Sequence, residues 1–333
     1  MSEPAAESVR GDFLLGRCDS MRAEVYLRMI GPTGQAGRGL AGTLIGPECR
    51  RAMTLPVTAA IRAVPGDAAD GLLGRVVLTE PAYWTPELPN LYRLAVTVTA
   101  DGGELGSLRQ TVGLRRLGVR GRSLWLDGRR FVPRGLAAAG GADEVEAFHQ
   151  AALTAVVTDP AETVLDCCDA AGVAVVARCR GLAGDTSAIA AWRQQIIDWS
   201  RHPAVFVAVL PAGLPAEQAE AILAATRAAR GTLLVAVEAD GTRPPGSLPV
   251  GCDAVVVALP SGGLPHAAWR TDSPAVPLIA CRREPVIEFP PSRRPCDVLQ
   301  AALAEWAAAA GPPAHDWAGY LVGRMPEVAA NRP

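Results

Sequence analysis

Two periods of hydrophobic and polar positions run along this chain, and one gives way to the other near Gly118. From Gly11 apolar residues recur at every second position. In AEVYLRMIG, Val25, Leu27 and Met29 alternate with Glu24, Tyr26 and Arg28, which predicts a strand with one buried face. GPTGQAGRG then predicts a glycine-rich turn, and MTLPVTAAIRAV and GRVVLTE predict two more short strands. LYRLAVTVTA puts Tyr92, Leu94, Val96 and Val98 on one face and Arg93, Thr97 and Thr99 on the other. ADGGE predicts a hairpin turn and SLRQTVGLRRL the returning strand. Short strands with turn signals over about 100 residues predict a β-sandwich of immunoglobulin-like size. No Cys…Trp…Cys pattern is present, which argues against an antibody-type domain. The expected division is a loose tail over residues 1–10, the sandwich over 11–118 and a second domain over 119–333.

After Gly118 the strands become continuous apolar runs separated by helical patterns. RSLWLDGRRFVPRG predicts a small hairpin with Asp127-Gly128 at its tip. The strand candidates that follow are FVPRGLA, LTAVVT, VAVVAR, VFVAVL, TLLVAVE, DAVVVAL, PLIAC and WAGYLVG. Between them, Thr163 to Ala171 places Val164 and Cys168 four apart, and Ala188 to Ser200 places Ile189, Trp192, Ile196 and Trp199 on one face. A helix with Leu299, Leu303 and Trp306 on one stripe is expected to open at Asp297 as N-cap, and Asp143 is a second expected cap. Leu264 to Arg270 has room only for a short helix. Eight apolar strands with crossovers predict a compact (β/α)8 barrel, its strands covered on both faces. A doubly wound open sheet is the main rival. It gives no reason for an eighth strand, and its G-x-G-x-x-G turn is missing.

Composition changes this picture in few places. Apolar residues make up 49% of the chain and charged residues 20%, enough to bury two cores. A net charge of −2 gives no field favouring nucleic acid or an acidic membrane, so neither is an expected partner. No apolar run reaches the roughly 20 residues needed to span a bilayer. The polar start MSEPAAESVRGD carries no apolar signal core, so a cytoplasmic setting is expected, with the eight cysteines as small reduced residues. Every basic residue is arginine, which excludes a lysine Schiff base.

In a (β/α)8 barrel the chemistry sits at the C-terminal ends of the strands. Those ends carry Leu136-Ala137-Ala138-Ala139, Thr158-Asp159-Pro160, Arg178-Cys179-Arg180, Leu210-Pro211-Ala212-Gly213, Glu238-Ala239-Asp240, Leu259-Pro260-Ser261, Cys281-Arg282-Arg283-Glu284 and Gly323-Arg324. Two readings stay open for this set. Arg178, Arg180, Arg282 and Arg283 could form a pocket for an anionic or polyhydroxylated ligand. Alternatively they pair with Asp159, Glu238, Asp240 and Glu284 and fill the mouth with salt bridges. His149, His266 and His315 are isolated, no His/Asp/Glu cluster has metal-ligand spacing, and neither a metal nor a cofactor is expected. His202 precedes a strand, on the side away from the expected site, and reads as structural rather than catalytic. Cys281 reads either as an activated thiolate beside Arg282 and Arg283 or as an inert core residue.

The order Trp84-Thr-Pro-Glu-Leu-Pro-Asn-Leu-Tyr92, Val112-Gly-Leu-Arg115, Leu124-Trp-Leu-Asp-Gly128 and Arg134-Gly135 resembles family-two glycoside hydrolases, the β-galactosidase, β-glucuronidase and β-mannosidase relatives. The resemblance runs over about residues 11–325, most specifically in Trp84–Tyr92 and Val112–Gly135. It implies an immunoglobulin-like sandwich before a TIM barrel, and it shows where two catalytic glutamates should stand. The acid/base glutamate ends strand four after a segment that resembles Arg201–Gly213, and its position is held by Gly213. The nucleophile ends strand seven after a segment that resembles Pro277–Cys281, and its position is held by Arg282. The family's R-G-x-N-x-H survives only as Arg134-Gly135, and Val157 stands at the arginine position around strand two. Asp169-Ala-Ala-Gly172 and His202-Pro203 persist. No catalytic residue is therefore expected, and a chain that begins at the sandwich is expected to lack the family's N-terminal sugar-binding domain. The resemblance implies a pseudoenzyme serving as a carbohydrate-binding or protein-interaction module. The alternatives are a retaining β-glycosidase with relocated carboxylates, Glu284 as nucleophile and Asp159, Glu238 or Asp240 as acid, and a structural subunit of an assembly. Trp84 and Tyr92 could stack on sugar or pack the sandwich against the barrel.

Overall fold

A computed structural model describes residues 10–30, 39–64, 72–100, 103–180, 188–227, 233–285, 289–309 and 316–323. The glycine-rich turn after Ile30, the centre of the ADGGE turn, His315 and Arg324 fall outside them, as does the expected tail apart from Arg10. The chain divides into two compact units, Met1–Arg116 and Leu117–Pro333. Among the described residues no helix is long and apolar enough to cross a membrane.

The first unit is built from seven antiparallel strands: β1 (Arg10–Cys18), β2 (Arg22–Ile30), β3 (Gly39–Glu48), β4 (Val57–Ala63), β5 (Leu72–Thr79), β6 (Leu91–Ala100) and β7 (Gly103–Val112). Their order is β1-β2-β5-β4-β3-β6-β7. β4 meets β5 through two residue pairs, Arg62 with Arg75 and Ala63 with Gly74, and the sheet folds over at that joint into a sandwich. The alternation read from sequence sets its core, where Val25, Leu27 and Met29 of β2 meet Leu94, Val96 and Val98 of β6. Tyr92 belongs to this core. Its hydroxyl accepts the Ala82 N–H at 2.9 Å and lies 3.1 Å from the Ala82 carbonyl. Strand β3 has no sequence signal of its own because glycine interrupts its alternation. Gly42 has a structural reason: a Cβ there would collide with the backbone of Ala95 and Val96 on β6.

The second unit opens with a three-stranded sheet of β8 (Leu117–Arg120), β9 (Ser123–Leu126) and β10 (Arg129–Phe131), in the order β10-β9-β8. The expected boundary at Gly118 falls inside β8, where Gly118 pairs with Trp125. Asp127 and Gly128 turn the β9–β10 hairpin at φ 48° and 78°, the left-handed pair that a two-residue turn between twisted strands requires.

Eight parallel strands then close into a barrel: β11 (Arg134–Ala137), β12 (Thr154–Thr158), β13 (Val175–Arg178), β14 (Val205–Val209), β15 (Leu234–Asp240), β16 (Ala254–Leu259), β17 (Leu278–Arg283) and β18 (Gly319–Gly323). All eight expected strands are present, and the open-sheet rival is excluded by pairing of β18 with β11. The β8–β10 sheet covers the N-terminal end of the barrel. Leu124 joins the inner core with Val176, Val207, Val256, Ile279 and Leu321, and Phe131 meets Phe206 edge-on at 5.1 Å between centroids.

Among the described residues the helices are α1 (Val145–Gln150), α2 (Glu162–Ala171), α3 (Ala188–Trp199), α4 (Ala216–Ala225), α5 (Ala268–Thr271) and α6 (Arg294–Ala308). α4 is alanine-rich and carries only a faint apolar stripe in sequence; the crossover from β15 to β16 has no helix. Neither expected aspartate cap forms. Asp143 lies inside a 3-10 turn, and Asp297 sits in the first turn of α6, which starts three residues earlier because Pro295 fits that position. Asp297 instead accepts from Arg134 Nε at 3.1 Å, while Arg134 Nη2 donates to Gln300 at 2.7 Å. The persistent Arg134 thus ties β11 to α6. Gly172 ends α2 at φ 79°, a left-handed cap that favours glycine.

Candidate functional site

Alternation along the barrel strands decides which charges face inward. On β13 the inner core holds Ala174 and Val176, so Arg178 faces in; on β15 Leu234 and Ala236 place Glu238 likewise. On β17 the inner residues are Ile279 and Cys281, so Arg283 is the inward arginine. Arg282 lies on the opposite face with Leu278 and Ala280, and this corrects its assignment to the mouth. β13, β15 and β17 are alternate strands, and their register sets Arg178 and Glu238 in one interior layer with Cys281, while Arg283 stands one step nearer the mouth.

Arg178 Nη2 bonds Glu238 Oε2, and Arg283 Nη2 approaches Glu238 Oε1 at 3.4 Å. Both oxygens of Glu238 are thus engaged by guanidinium groups, and its side chain is 2% exposed. Arg178 is buried with it, its side chain 7% exposed. A paired and hydrogen-bonded charge is the form in which burial is tolerated.

The other carboxylates are placed apart from this layer. Asp159, at φ 46°, accepts from the Arg180 backbone at 2.9 Å and from Gln195 at 3.0 Å, and pairs with Arg180 at 3.3 Å. Arg180 is mostly exposed, so this pair contributes little. Asp240 accepts from the Thr242 N–H at 2.9 Å and hydroxyl at 2.7 Å, with Arg243 at 3.4 Å. Burial works to raise its pKa, but the Thr242 bonds with Arg243 and Arg283 outweigh it and hold the carboxyl below the usual value. Glu284 accepts from the Ser261 hydroxyl at 2.8 Å. Gly213 is an exposed turn residue at φ 74° and offers no proton donor. Cys281 is fully buried, and burial pushes its pKa up to about 12, ahead of the opposing pull of Arg178. A thiol held protonated is not an activated nucleophile.

Position by position, the charge-filled reading of the mouth accounts for Arg178, Glu238 and Arg283, and rim pairing accounts for Arg180, Asp159 and Asp240. The Arg178–Glu238 pair is 60 residues apart in sequence, and only strand register brings it together. Gln195 gave no sequence signal, and Ser261 stood only as part of a strand end, since neither residue type carries a motif.

One cluster lies elsewhere. The ligand atoms of Asp166, Asp169 and His202 fall within 4.8 Å of one another, a cluster that no metal-ligand spacing in the sequence announced. Asp169 spends its oxygens on His202 Nδ1 and the Ala204 N–H, each at 2.8 Å, which makes the group a clip holding α2 to the start of β14. Burial pulls the His202 pKa down, but the Asp169 hydrogen bond and charge, with Asp166 and Glu162, leave it raised above 6.5. A raised folded-state pKa gives stability that is complete below the unfolded value and fades as pH rises through the folded one. His202→Gln should therefore cost roughly 1.5–3 kcal/mol at pH values near 6. Urea unfolding across a pH series should show that cost shrinking above pH 6.5. A cost that does not change with pH would contradict the charged clip.

Residues 52–115 match the model of glycosyl hydrolases family 2. A β-galactosidase of Photobacterium profundum is 36% identical over 72 residues, 21% of this chain and 7% of that protein. The chain resembles in fold the apo β-glucuronidase of Ruminococcus gnavus, with a TM-score of 0.68, 14% identity, and coverage of 95% of this chain and 61% of that one. A β-D-glucuronidase of Dictyoglomus thermophilum gives a TM-score of 0.63 at 12% identity, with 95% and 61% covered. The R. gnavus enzyme is also similar in its complex with D-glucuronic acid, with a TM-score of 0.68 and 15% identity over 95% of this chain and 61% of that one. This chain thus spans a small part of the curated relative and about three-fifths of these structures.

Proposed function

Starting from a chain related to glycosyl hydrolases family 2 through its sandwich half, we propose that this protein has given up glycoside hydrolysis and keeps the barrel as a carbohydrate-binding module. The observation that carries this reading is the clamped Glu238. Retaining hydrolysis needs two carboxyl groups about 5–5.5 Å apart, one able to give a proton and one able to attack. Both oxygens of Glu238 are engaged by arginines and its side chain is buried, which leaves neither oxygen free to attack or to pass a proton to a leaving group. Gly213 and Arg282, at the positions where the family's glutamates are expected, have no carboxyl group, and Arg282 lies off the inner face. The fold shared with a glucuronidase solved with D-glucuronic acid supports a carbohydrate as ligand. A protein contact is the second reading, favoured by Met53 and Leu55, whose surfaces are essentially fully exposed beside the half-exposed Val57. A location in the cytoplasm fits both readings.

Nitrophenyl β-galactoside, β-glucuronide and β-mannoside should give no enzyme-dependent release above that of heat-treated protein. Turnover that disappears in Glu284→Gln would overturn the reading in favour of relocated carboxylates. Light scattering of the isolated protein tests the second reading; a partner-free monomer at all concentrations counts against self-association.

A further inference from the structure

One strand of the first unit is only half partnered. β4 pairs β3 from Val57 to Arg62. On its other edge β5 meets it at Arg62 and Ala63 alone. Among the described residues, nothing pairs with that edge from Val57 to Ile61, and the backbone groups that turn outward there are open to another strand.

Open edges are usually guarded by charge. The outermost strands follow that rule: β1 carries Asp12 and Arg17, and β7 carries Glu104 and Arg109. The open part of β5 is bracketed by Arg75 and Glu80. β4 has no such guard. The run Met53-Thr-Leu-Pro-Val-Thr-Ala-Ala-Ile61 contains no charged residue. Thr58 and Ala60 are exposed along it. The Thr54 hydroxyl donates to the Pro47 carbonyl at 2.7 Å and pins the segment that leads into the strand. Met53 and Leu55, on either side of Thr54, are 101% and 90% exposed. A segment already pinned loses little freedom when a partner covers it.

A second copy of this chain fits that edge. Turned end for end, the run meets itself about Ala59. Val57 then stands opposite Ile61 of the other copy, Thr58 opposite Ala60, and Arg62 opposite Pro56, so no like charges face each other. Pro56 has no N–H and ends the paired stretch on each side. The net charge of −2 sets up little repulsion between copies. Burying Met53, Leu55 and Val57 with the paired edges should take about 1,000 Å2 from water over both copies, the lower bound for a specific contact. Such a dimer is a weak one.

We propose that this protein dimerises by antiparallel pairing of the open β4 edge with the same edge of a second copy, with Met53, Leu55 and Val57 sealing the seam. The contact is isologous and closes at two copies. It rests on the protein-contact reading and gives that reading a partner and a surface.

The test is light scattering of the full chain over a concentration series, with amide hydrogen exchange at its two ends. The mean mass should rise from 34.7 kDa toward twice that value between about 2 and about 200 µM protein. Exchange at Val57–Ile61 should slow about tenfold over the same range, while β1 and β7 exchange as before. Ala60→Lys sets a charge on the edge and should weaken the dimer by about tenfold or more. Leu55→Glu, outside the strand, should do the same, and it keeps the test decisive if a lysine in β4 disturbs folding. A monomer at the highest concentration overturns the inference and leaves only a contact with a different protein. A dimer that both variants leave intact, or protection gained on a strand other than β4, overturns the edge pairing while the protein-contact reading survives.

Discussion

Replacing Arg178 by methionine should lower the stability of the barrel by about 3–5 kcal/mol, the usual cost of removing one partner from a buried ion pair. The reason is what remains. Glu238, with 2% of its side chain exposed, would keep only the 3.4 Å approach of Arg283. Water cannot reach it to make up the loss. Changing both partners, Arg178→Met with Glu238→Leu, should recover most of that stability, because no uncompensated carboxylate is left and the new side chains fill the same interior. Arg283, partly exposed, can turn to solvent. Urea unfolding of the two single variants and the double variant gives the coupling. A loss below about 1 kcal/mol for Arg178→Met would mean that the pair is not buried as described.

Phe206→Ala should cost the barrel about 3–5 kcal/mol. Phe206 stands at the start of β14 and is 1% exposed, with the ring of Phe131 against it at 90°. Its removal opens a cavity between the barrel and the small sheet that carries Leu124 and Phe131. Loss of protection from hydrogen exchange should appear first in β9 and β10. Uniform loss across β11–β18, with β9 and β10 unaffected, would show that the small sheet does not seal the barrel floor.

The fold was largely legible because its two halves obey different and simple periods. Alternation in LYRLAVTVTA named the buried face of β6 residue by residue, and eight apolar runs named the barrel strands. Failures occurred where a local rule met a tertiary demand. β3 hides behind Gly42, which is there to let β6 approach. Asp297 reads as a helix cap but serves Arg134. At the mouth, the sequence placed Arg282 and Arg283 side by side without saying which turns inward. That choice rests on one residue of register, since a single step along a strand moves a side chain to the other face. Glu238 was one of several acids at strand ends, and its clamp became visible only once β13, β15 and β17 stood as alternate strands of one closed barrel.

On the proposed reading, no carboxylate in this barrel attacks an anomeric carbon. The most direct measurement is the intact mass of the protein after incubation with an activated 2-fluoro-β-glycoside, which leaves a retaining enzyme carrying its sugar as a covalent ester. An unchanged mass with the galactoside, glucuronide and mannoside versions is the predicted result. A gain of one fluorosugar, mapped by peptide sequencing to Glu284, Glu238, Asp159 or Asp240, would contradict it.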